Sequence, residues 1–106
     1  MPTQTHDRPG LSWEAICHDP RFRDLPYKIE TNARGQIIMS PTYQRHGALQ
    51  YRVGTHLEKH LPDGVIVTES AVATSDGQKI ADVAWFSEGR WERVKDALDA
   101  PIAPEI

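Results

Sequence analysis

One long helix flanked by strand-like segments constrains the fold of this chain more than any other feature. Within residues 42–61, apolar residues recur at steps of four, at Leu49, Val53, Leu57 and Leu61. Residues four apart stack along one side of a helix, so this spacing predicts an amphipathic helix whose apolar side packs on a sheet. Ser40 or Thr42 is expected to cap its first turn, and the turn at residues 62–64 is expected to end it.

Strand-like segments precede and follow this helix. Residues 27–31 and 36–40 surround a short link that contains Gly35, and this pattern predicts a β-hairpin. Residues 65–74 predict a bent strand or a pair of strands, and residues 80–86 form a compact apolar strand. Shorter helices are predicted after Ser12 and over residues 90–98. The order of elements predicts an α/β fold of the mixed α+β kind, with one curved mixed sheet against the long helix.

The length and composition of the chain fit one small domain. Of its 106 residues, 39% are apolar and 25% are charged, so the core should be thin. Residues 1–10 are polar and contain proline, and we expect them to form a disordered arm before a domain over residues 11–106.

Charge and cysteine content restrict the partners and the location of the chain. The formal net charge of -3 argues against a general electrostatic coating of nucleic acid or of an anionic membrane. Cys17 stands alone, so an internal disulfide is excluded and a reducing compartment is favoured. The sequence shows neither a secretory signal nor a membrane span, and we expect a cytoplasmic protein without a membrane partner.

Asp82 interrupts the apolar run of residues 80–86 and is the first candidate for chemistry. An unpaired charge buried in such a strand costs several kcal/mol. The carboxylate must therefore emerge at a strand end or be stabilised by a metal, by an Arg or Lys, or by backbone amides. The structural alternative is that Asp82 faces solvent or caps a turn.

Two further carboxylates and one histidine could lie near Asp82. Glu30 and Glu69 are predicted near strand ends, where paired acidic oxygens suit a hard cation such as Mg²⁺, although exposed glutamates are common on strands. On a helical wheel His46 points with Leu49 and Val53 toward the sheet. There it could position a phosphate or a water, or it could be a neutral, hydrogen-bonded helix histidine.

Basic residues recur beside the apolar stripe of the long helix. Arg45, Arg52, His56 and Lys59 share one side of it. Such a stripe could follow a nucleic-acid backbone, contacting phosphates without reading sequence, or it could be a solvated helix face.

Five motifs in a fixed order resemble one known family. They are Tyr27-Lys28-Ile29-Glu30, the segment from Gly35 to Pro41 with its Met39-Ser40-Pro41 end, His46, Val67-Thr68-Glu69 and Ala81-Asp82-Val83-Ala84. Together they resemble the bacterial restriction endonuclease family of the Uma-two type, much expanded in cyanobacteria, in the PD-(D/E)XK nuclease superfamily. The resemblance covers the chain from about Trp13 to Ile106.

The resemblance implies a restriction-endonuclease-like fold, a curved mixed sheet with flanking helices, and hydrolysis of DNA phosphodiesters with Mg²⁺ or Mn²⁺. The metal-binding acid of a Pro-Asp-Val-like strand in the family carries over onto Asp82. The hairpin acid corresponds to Glu30, the helix histidine to His46, and Glu69 matches a frequently acidic strand position. Family members continue with a second metal-binding glutamate and a lysine, so the chain is expected to be incomplete at its C-terminal end.

Three functions are therefore expected from the sequence. The first is a Mg²⁺-dependent DNA endonuclease in which Asp82, Glu30 and His46 are catalytic and Asp82 and Glu69 bind a weakly held metal. The second is a catalytically incomplete fragment that self-associates, with a homodimer favoured because an open sheet edge can pair with a second copy. The third is a non-catalytic nucleic-acid-binding module that uses Arg45, Arg52 and Lys59.

Overall fold

The structure is a computed structural model that describes residues 4–7 and 12–106. In these ranges it contains the following strands and helices in chain order: β1 (Gln4–Asp7), α1 (Trp13–His18), β2 (Tyr27–Thr31), β3 (Gln36–Pro41), α2 (Gln44–His60), β4 (Gly64–Thr74), β5 (Gly77–Ser87) and α3 (Glu88–Val94). This element order confirms the prediction of a mixed α and β protein. None of the helices in these ranges is long and apolar enough to cross a bilayer.

The strands form two small antiparallel sheets in the part of the chain that is described. One sheet has the order β1-β3-β2, and β4 and β5 form a separate two-stranded sheet. The prediction of one mixed sheet is therefore wrong. The reason lies in the connections, because β2–β3 and β4–β5 are joined by tight turns, which give antiparallel pairs, whereas parallel neighbours need long crossovers. An isolated parallel bridge between Val72 and Ala100 is present beside β4.

Part of the segment that was expected to be a disordered arm forms the first strand, β1. Residues Gln4–Asp7 pair antiparallel with β3, from Gln4 opposite Met39 to Asp7 opposite Gln36. A polar segment can pair in this way because backbone hydrogen bonds along a sheet edge do not require apolar side chains. The rest of the predicted arm, residues 1–3 and 8–10, lies outside the described residues.

The helix ends agree with the sequence in one case and differ in another. Ser12 caps α1 as predicted, since its hydroxyl accepts a hydrogen bond from the Ala15 N–H at 3.1 Å. The predicted capping of α2 by Ser40 or Thr42 is wrong. The strand β3 extends to Pro41, so α2 begins at Gln44 with Tyr43 at its N-cap and no side-chain cap hydrogen bond.

The main core lies between the β4–β5 hairpin and α3. Its buried members are Val72, Ala84, Phe86, Val94 and Ala100. The apolar stripe of α2, by contrast, is largely solvent-exposed, at 56% for Leu49 and 47% for Val53. The helix approaches the hairpin closely at Gly54, where an added Cβ would lie 3.4 Å from Ile66. The expectation that the apolar side packs on the sheet is therefore met only in part, since Leu57 is half-buried while Leu49 and Val53 are exposed.

Candidate metal centre

Asp82 lies on β5 opposite a lysine of the neighbouring strand β2. The Lys28 ammonium donates a hydrogen bond to Asp82 Oδ1 at 2.9 Å. The lysine side chain is 18% exposed and the aspartate side chain 43% exposed, so water only partly screens the pair. The partner that the sequence predicts for Asp82 is therefore the cationic side chain of Lys28.

Further side-chain hydrogen bonds place β2 and β5 side by side in antiparallel order. Glu30 Oε2 accepts a hydrogen bond from the Ile80 N–H at 2.7 Å. The Lys79 ammonium donates to the Thr31 carbonyl at 2.9 Å. These contacts take the place of a backbone ladder and hold Lys28 beside Asp82. Glu30, one of the predicted catalytic residues, is therefore directed at the backbone of β5.

Along β5, the alternation of side chains between the two faces of the hairpin is interrupted at Asp82. Asp82 and Val83 are consecutive, yet both line a cavity under α2, whereas a regular strand points neighbouring side chains to opposite faces. The pairs on either side, Thr68 with Val83 and Ser70 with Ala81, place Glu69 across from Asp82. Glu69 has a φ of 54°, in the left-handed region that side-chain-bearing residues rarely adopt. The register of the hairpin thus brings two acidic residues together at the point where the backbone is distorted.

The helix α2 brings His46 to the same carboxylate. Its Nε2 lies 2.9 Å from Asp82 Oδ1. The contact is close, but the ring is not aligned for a hydrogen bond, and among the described residues this buried nitrogen has no hydrogen-bond partner. A buried ring nitrogen 2.9 Å from a carboxylate oxygen, without hydrogen-bond geometry between them, is an arrangement that a cation would satisfy.

Glu69 is positioned by a second residue of α2. Gln50 lies one helical turn after His46, and its amide donates to Glu69 Oε1 at 2.7 Å. As a result, one potential ligand atom from each of His46, Glu69 and Asp82 lies within 4.8 Å of the other two. We call these three residues the metal cluster. It contains both predicted metal ligands and the predicted catalytic histidine, but not Glu30.

The electrostatics of the metal cluster favour an ionised aspartate. Partial burial raises the pKa of the Asp82 carboxyl, but the hydrogen bond and positive charge of Lys28, together with the close approach of the His46 ring, outweigh it and lower the pKa below its ordinary value. Asp82 is therefore a carboxylate at neutral pH. Counted formally, with a neutral imidazole, the cluster and Lys28 carry one net negative charge.

The donor set of the metal cluster fits a divalent cation. Two carboxylates suit Mg²⁺ and Mn²⁺ alike, because both ions prefer oxygen. An imidazole ligand shifts the preference toward Mn²⁺, since Mg²⁺ accepts nitrogen poorly. The unsatisfied nitrogen of His46 is the observation that makes the fit more than a grouping of acids.

A cavity of about 300 Å³ opens beside the metal cluster. Its lining residues are His46, Leu49, Gln50, Val53, Asp82 and Val83. Polar atoms of Asp82 and His46 therefore meet an apolar wall formed by α2 and β5. The predicted nucleic-acid-binding residues Arg45, Arg52 and Lys59 are all exposed on α2 and do not line this cavity.

Sequence reasoning missed two residues of the site, although the sequence contained a signal for each. Lys28 precedes Glu30 by two positions in a strand, so both share one side of β2. Gln50 follows His46 by four positions in a helix and therefore shares its side of α2. Both residues could have been found by extending the periodicity from the predicted site residues.

Comparison with known proteins gives no family for this chain. No protein-family model matches it, and a search of curated proteins finds no match.

Proposed function

We propose that the chain is a divalent-metal-dependent nuclease that hydrolyses DNA phosphodiester bonds, as its resemblance to the restriction endonuclease family implies. The observation that supports this most is the metal cluster, in which two carboxylates and an unsatisfied imidazole nitrogen converge within 4.8 Å. Two of the three residues, His46 and Asp82, line an open cavity, so a cation held by the cluster would lie where a substrate phosphate could reach it.

Each residue of the site has a distinct part in this proposal. Asp82 and Glu69 hold the cation through their carboxylates, and His46 contributes its ring nitrogen. Lys28 keeps the Asp82 carboxylate ionised and oriented, and Gln50 does the same for Glu69. When bound, a divalent cation would polarise the phosphodiester and acidify a water nucleophile.

The charge of the site is consistent with an anionic substrate. One net negative charge on the cluster and Lys28 attracts a divalent cation. The loaded site then carries one positive charge, which matches the single negative charge of a phosphodiester. Without the cation the same site repels phosphate, so the metal should strengthen the binding of substrate.

Metal binding and plasmid nicking together test the proposal. The intact chain is titrated with Mn²⁺ by calorimetry and incubated with supercoiled plasmid and with circular single-stranded DNA in Mn²⁺, Mg²⁺ or EDTA, and breakage of either DNA is scored as nicking. Asp82→Asn and Glu69→Gln should each weaken Mn²⁺ binding at least about tenfold and abolish nicking. Asp63→Asn is the matched control, because Asp63 is an exposed carboxylate outside the cluster. Equal nicking by Asp82→Asn, or no nicking with any cation, would contradict the proposal.

A second candidate function is a non-catalytic nucleic-acid-binding module. The observation in its favour is that Arg45, Arg52 and Lys59 are exposed along one side of α2. Phosphate contacts of this kind weaken steeply with salt. Salt-dependent DNA binding that is lost when these three residues are replaced by Ala, with no nicking in any cation, would favour this function over the nuclease.

A further inference from the structure

We propose that the cavity beside the metal cluster receives the base and sugar of an unpaired nucleotide, so that the site acts on single-stranded rather than duplex nucleic acid. This inference rests on the proposed function and names its substrate class. It is carried by the position, the lining and the size of the cavity.

The cavity and the metal cluster share residues. His46 and Asp82 belong to the cluster and also line the cavity. A phosphate held at the cluster would therefore have its attached sugar directly at the cavity mouth. A group in the cavity can therefore belong to the same nucleotide as a phosphate at the cluster, which supports the cavity as part of the substrate site.

The wall of the cavity suits an aromatic base better than a phosphate backbone. Leu49, Val53 and Val83 supply an apolar surface, and Gln50, whose amide N–H₂ donates to Glu69, adds a polar side chain to the lining. Bases have apolar faces and polar edges, and single-strand-binding proteins use this chemistry without requiring a particular sequence. A duplex presents phosphates and groove edges to a protein and keeps the faces of its bases stacked inside.

The size of the cavity also favours a single unpaired nucleotide. At about 300 Å³, it is at the lower end of the roughly 300–1,000 Å³ range of small-molecule sites. This is room for one base with its sugar and is far too small for a base pair with its backbone. A nucleotide can enter such a cavity from a single strand, whereas from a duplex it must first be unstacked, which costs a few kcal/mol.

The basic stripe of α2 provides the complementary charge for the neighbouring phosphates. At about 100° per residue, Arg45 and Arg52 lie roughly 40° to 60° around the helix from Leu49. All three side chains are exposed. A strand whose base occupies the cavity can therefore run its backbone along this stripe.

Binding measured in EDTA separates this inference from the proposed function. Fluorescein-labelled DNA strands of one sequence are compared as single strand and as duplex, together with the RNA single strand and the free nucleoside monophosphate. We expect both single strands to bind at least about fivefold more tightly than the duplex, a difference of about 1 kcal/mol. The monophosphate should compete with the single strands for the cavity, at lower affinity because it lacks the neighbouring phosphates that Arg45 and Arg52 would contact.

Two cavity variants and one matched control complete the test. Leu49→Ala removes part of the wall and Val53→Trp fills the cavity, and each should weaken single-strand binding at least about fivefold while leaving duplex binding unchanged. Leu98→Ala is the control, because Leu98 is 50% exposed, close to the 56% of Leu49, but lies outside this cavity. Duplex binding as tight as single-strand binding, or a Leu49→Ala effect no larger than that of Leu98→Ala, would overturn the inference. Single-strand binding without metal-dependent cleavage would overturn the proposed function alone.

Discussion

The ammonium of Lys28 lies 2.9 Å from Asp82 Oδ1, and this contact links the three-stranded sheet to the β4–β5 hairpin at the metal cluster. The lysine has two effects on the site. It stabilises an ionised carboxylate between the two sheets. Its ammonium also lies beside the atoms that would bind a cation, where it takes up space and repels positive charge. These effects act in opposite directions on metal affinity and can be separated by substitution.

Lys28→Met should raise metal affinity while lowering stability. The variant keeps most of the apolar stem of the side chain but removes the positive charge, so a cation no longer competes with the ammonium for Asp82. We expect Mn²⁺ to bind a few-fold more tightly in a calorimetric titration and the free energy of unfolding to fall by about 1 kcal/mol.

Lys95→Met is the matched control for this substitution. Lys95 forms an ion pair of the same length, 2.9 Å, with Glu92, but on the exposed surface of the last helix. Its removal should change neither Mn²⁺ affinity nor stability by a measurable amount. If Mn²⁺ binding weakens in Lys28→Met, then the lysine orients Asp82 for the cation more than it competes with it.

The stability of the fold should decrease in acid through Asp82. A carboxyl group whose pKa is lowered in the folded state stabilises the fold above its unfolded pKa, and that contribution is lost as the pH falls through the folded value. The pKa of Asp82 is lowered from 3.8. The contribution should therefore be complete at neutral pH and decline once the pH falls toward and below about 3.8.

Urea unfolding of the chain and of Asp82→Asn across this range measures the Asp82 contribution. The curve for the variant should lie lower at neutral pH and converge with that of the unchanged chain in acid. Asp76 and Glu105 also have lowered pKa values, through hydrogen bonds from Ala33 and Ser87 respectively. The variant should consequently keep part of the acid dependence of stability. A difference between the two curves that stays constant with pH would refute the assignment of part of this dependence to Asp82.

Local sequence patterns predicted the elements better than the contacts between them. The β2–β3 hairpin, the Ser12 cap and the existence of the long helix follow from turn residues and periodicity, which act over a few positions. The exposure of Leu49 and Val53 could not be predicted in this way. A helical wheel shows which residues share a face of a helix but not whether another element covers that face. The split into two sheets likewise depends on which strands meet, a tertiary property.

The candidate site was partly predictable for the same reason. Asp82 and His46 were predicted from their apolar surroundings, and the structure places them 2.9 Å apart. The distance between Glu30 and the cluster could not be predicted, since it depends on how β2 and β5 align. Nor does the sequence indicate that the backbone is left-handed at Glu69, where no glycine or asparagine marks the position.

Two glycines should respond to alanine in opposite directions. Gly77 has a φ of 89°, and an added Cβ would lie 2.6 Å from the backbone of Thr31, so Gly77→Ala should lower the free energy of unfolding by about 2 kcal/mol or more. Gly47 lies in α2 with nothing within 4 Å of an added Cβ, so Gly47→Ala should raise it by about 0.5 to 1 kcal/mol. Thermal unfolding of the two variants checks both signs. A tolerated Gly77→Ala would mean that β2 and β5 are not held as closely as their side-chain hydrogen bonds indicate.

Glu69→Gly should make the fold more stable and the metal site weaker. A side-chain-bearing residue in the left-handed region costs about 1 to 2 kcal/mol, which glycine avoids, while the added flexibility of glycine in the unfolded chain returns part of that gain. We expect a net rise of about 0.5 to 1 kcal/mol in the free energy of unfolding and a loss of at least about tenfold in Mn²⁺ affinity.

Thr68→Gly is the control, because Thr68 is also exposed on β4 but is not among the residues with positive φ, so the change should destabilise the fold. Urea unfolding and Mn²⁺ titration of both variants give the answer. Equal destabilisation by the two substitutions would show that no strain is stored at Glu69, and unchanged Mn²⁺ affinity would remove its carboxylate from the metal cluster. Opposite shifts in stability and affinity would show instead that the strained backbone at this position is retained because it directs a ligand toward Asp82.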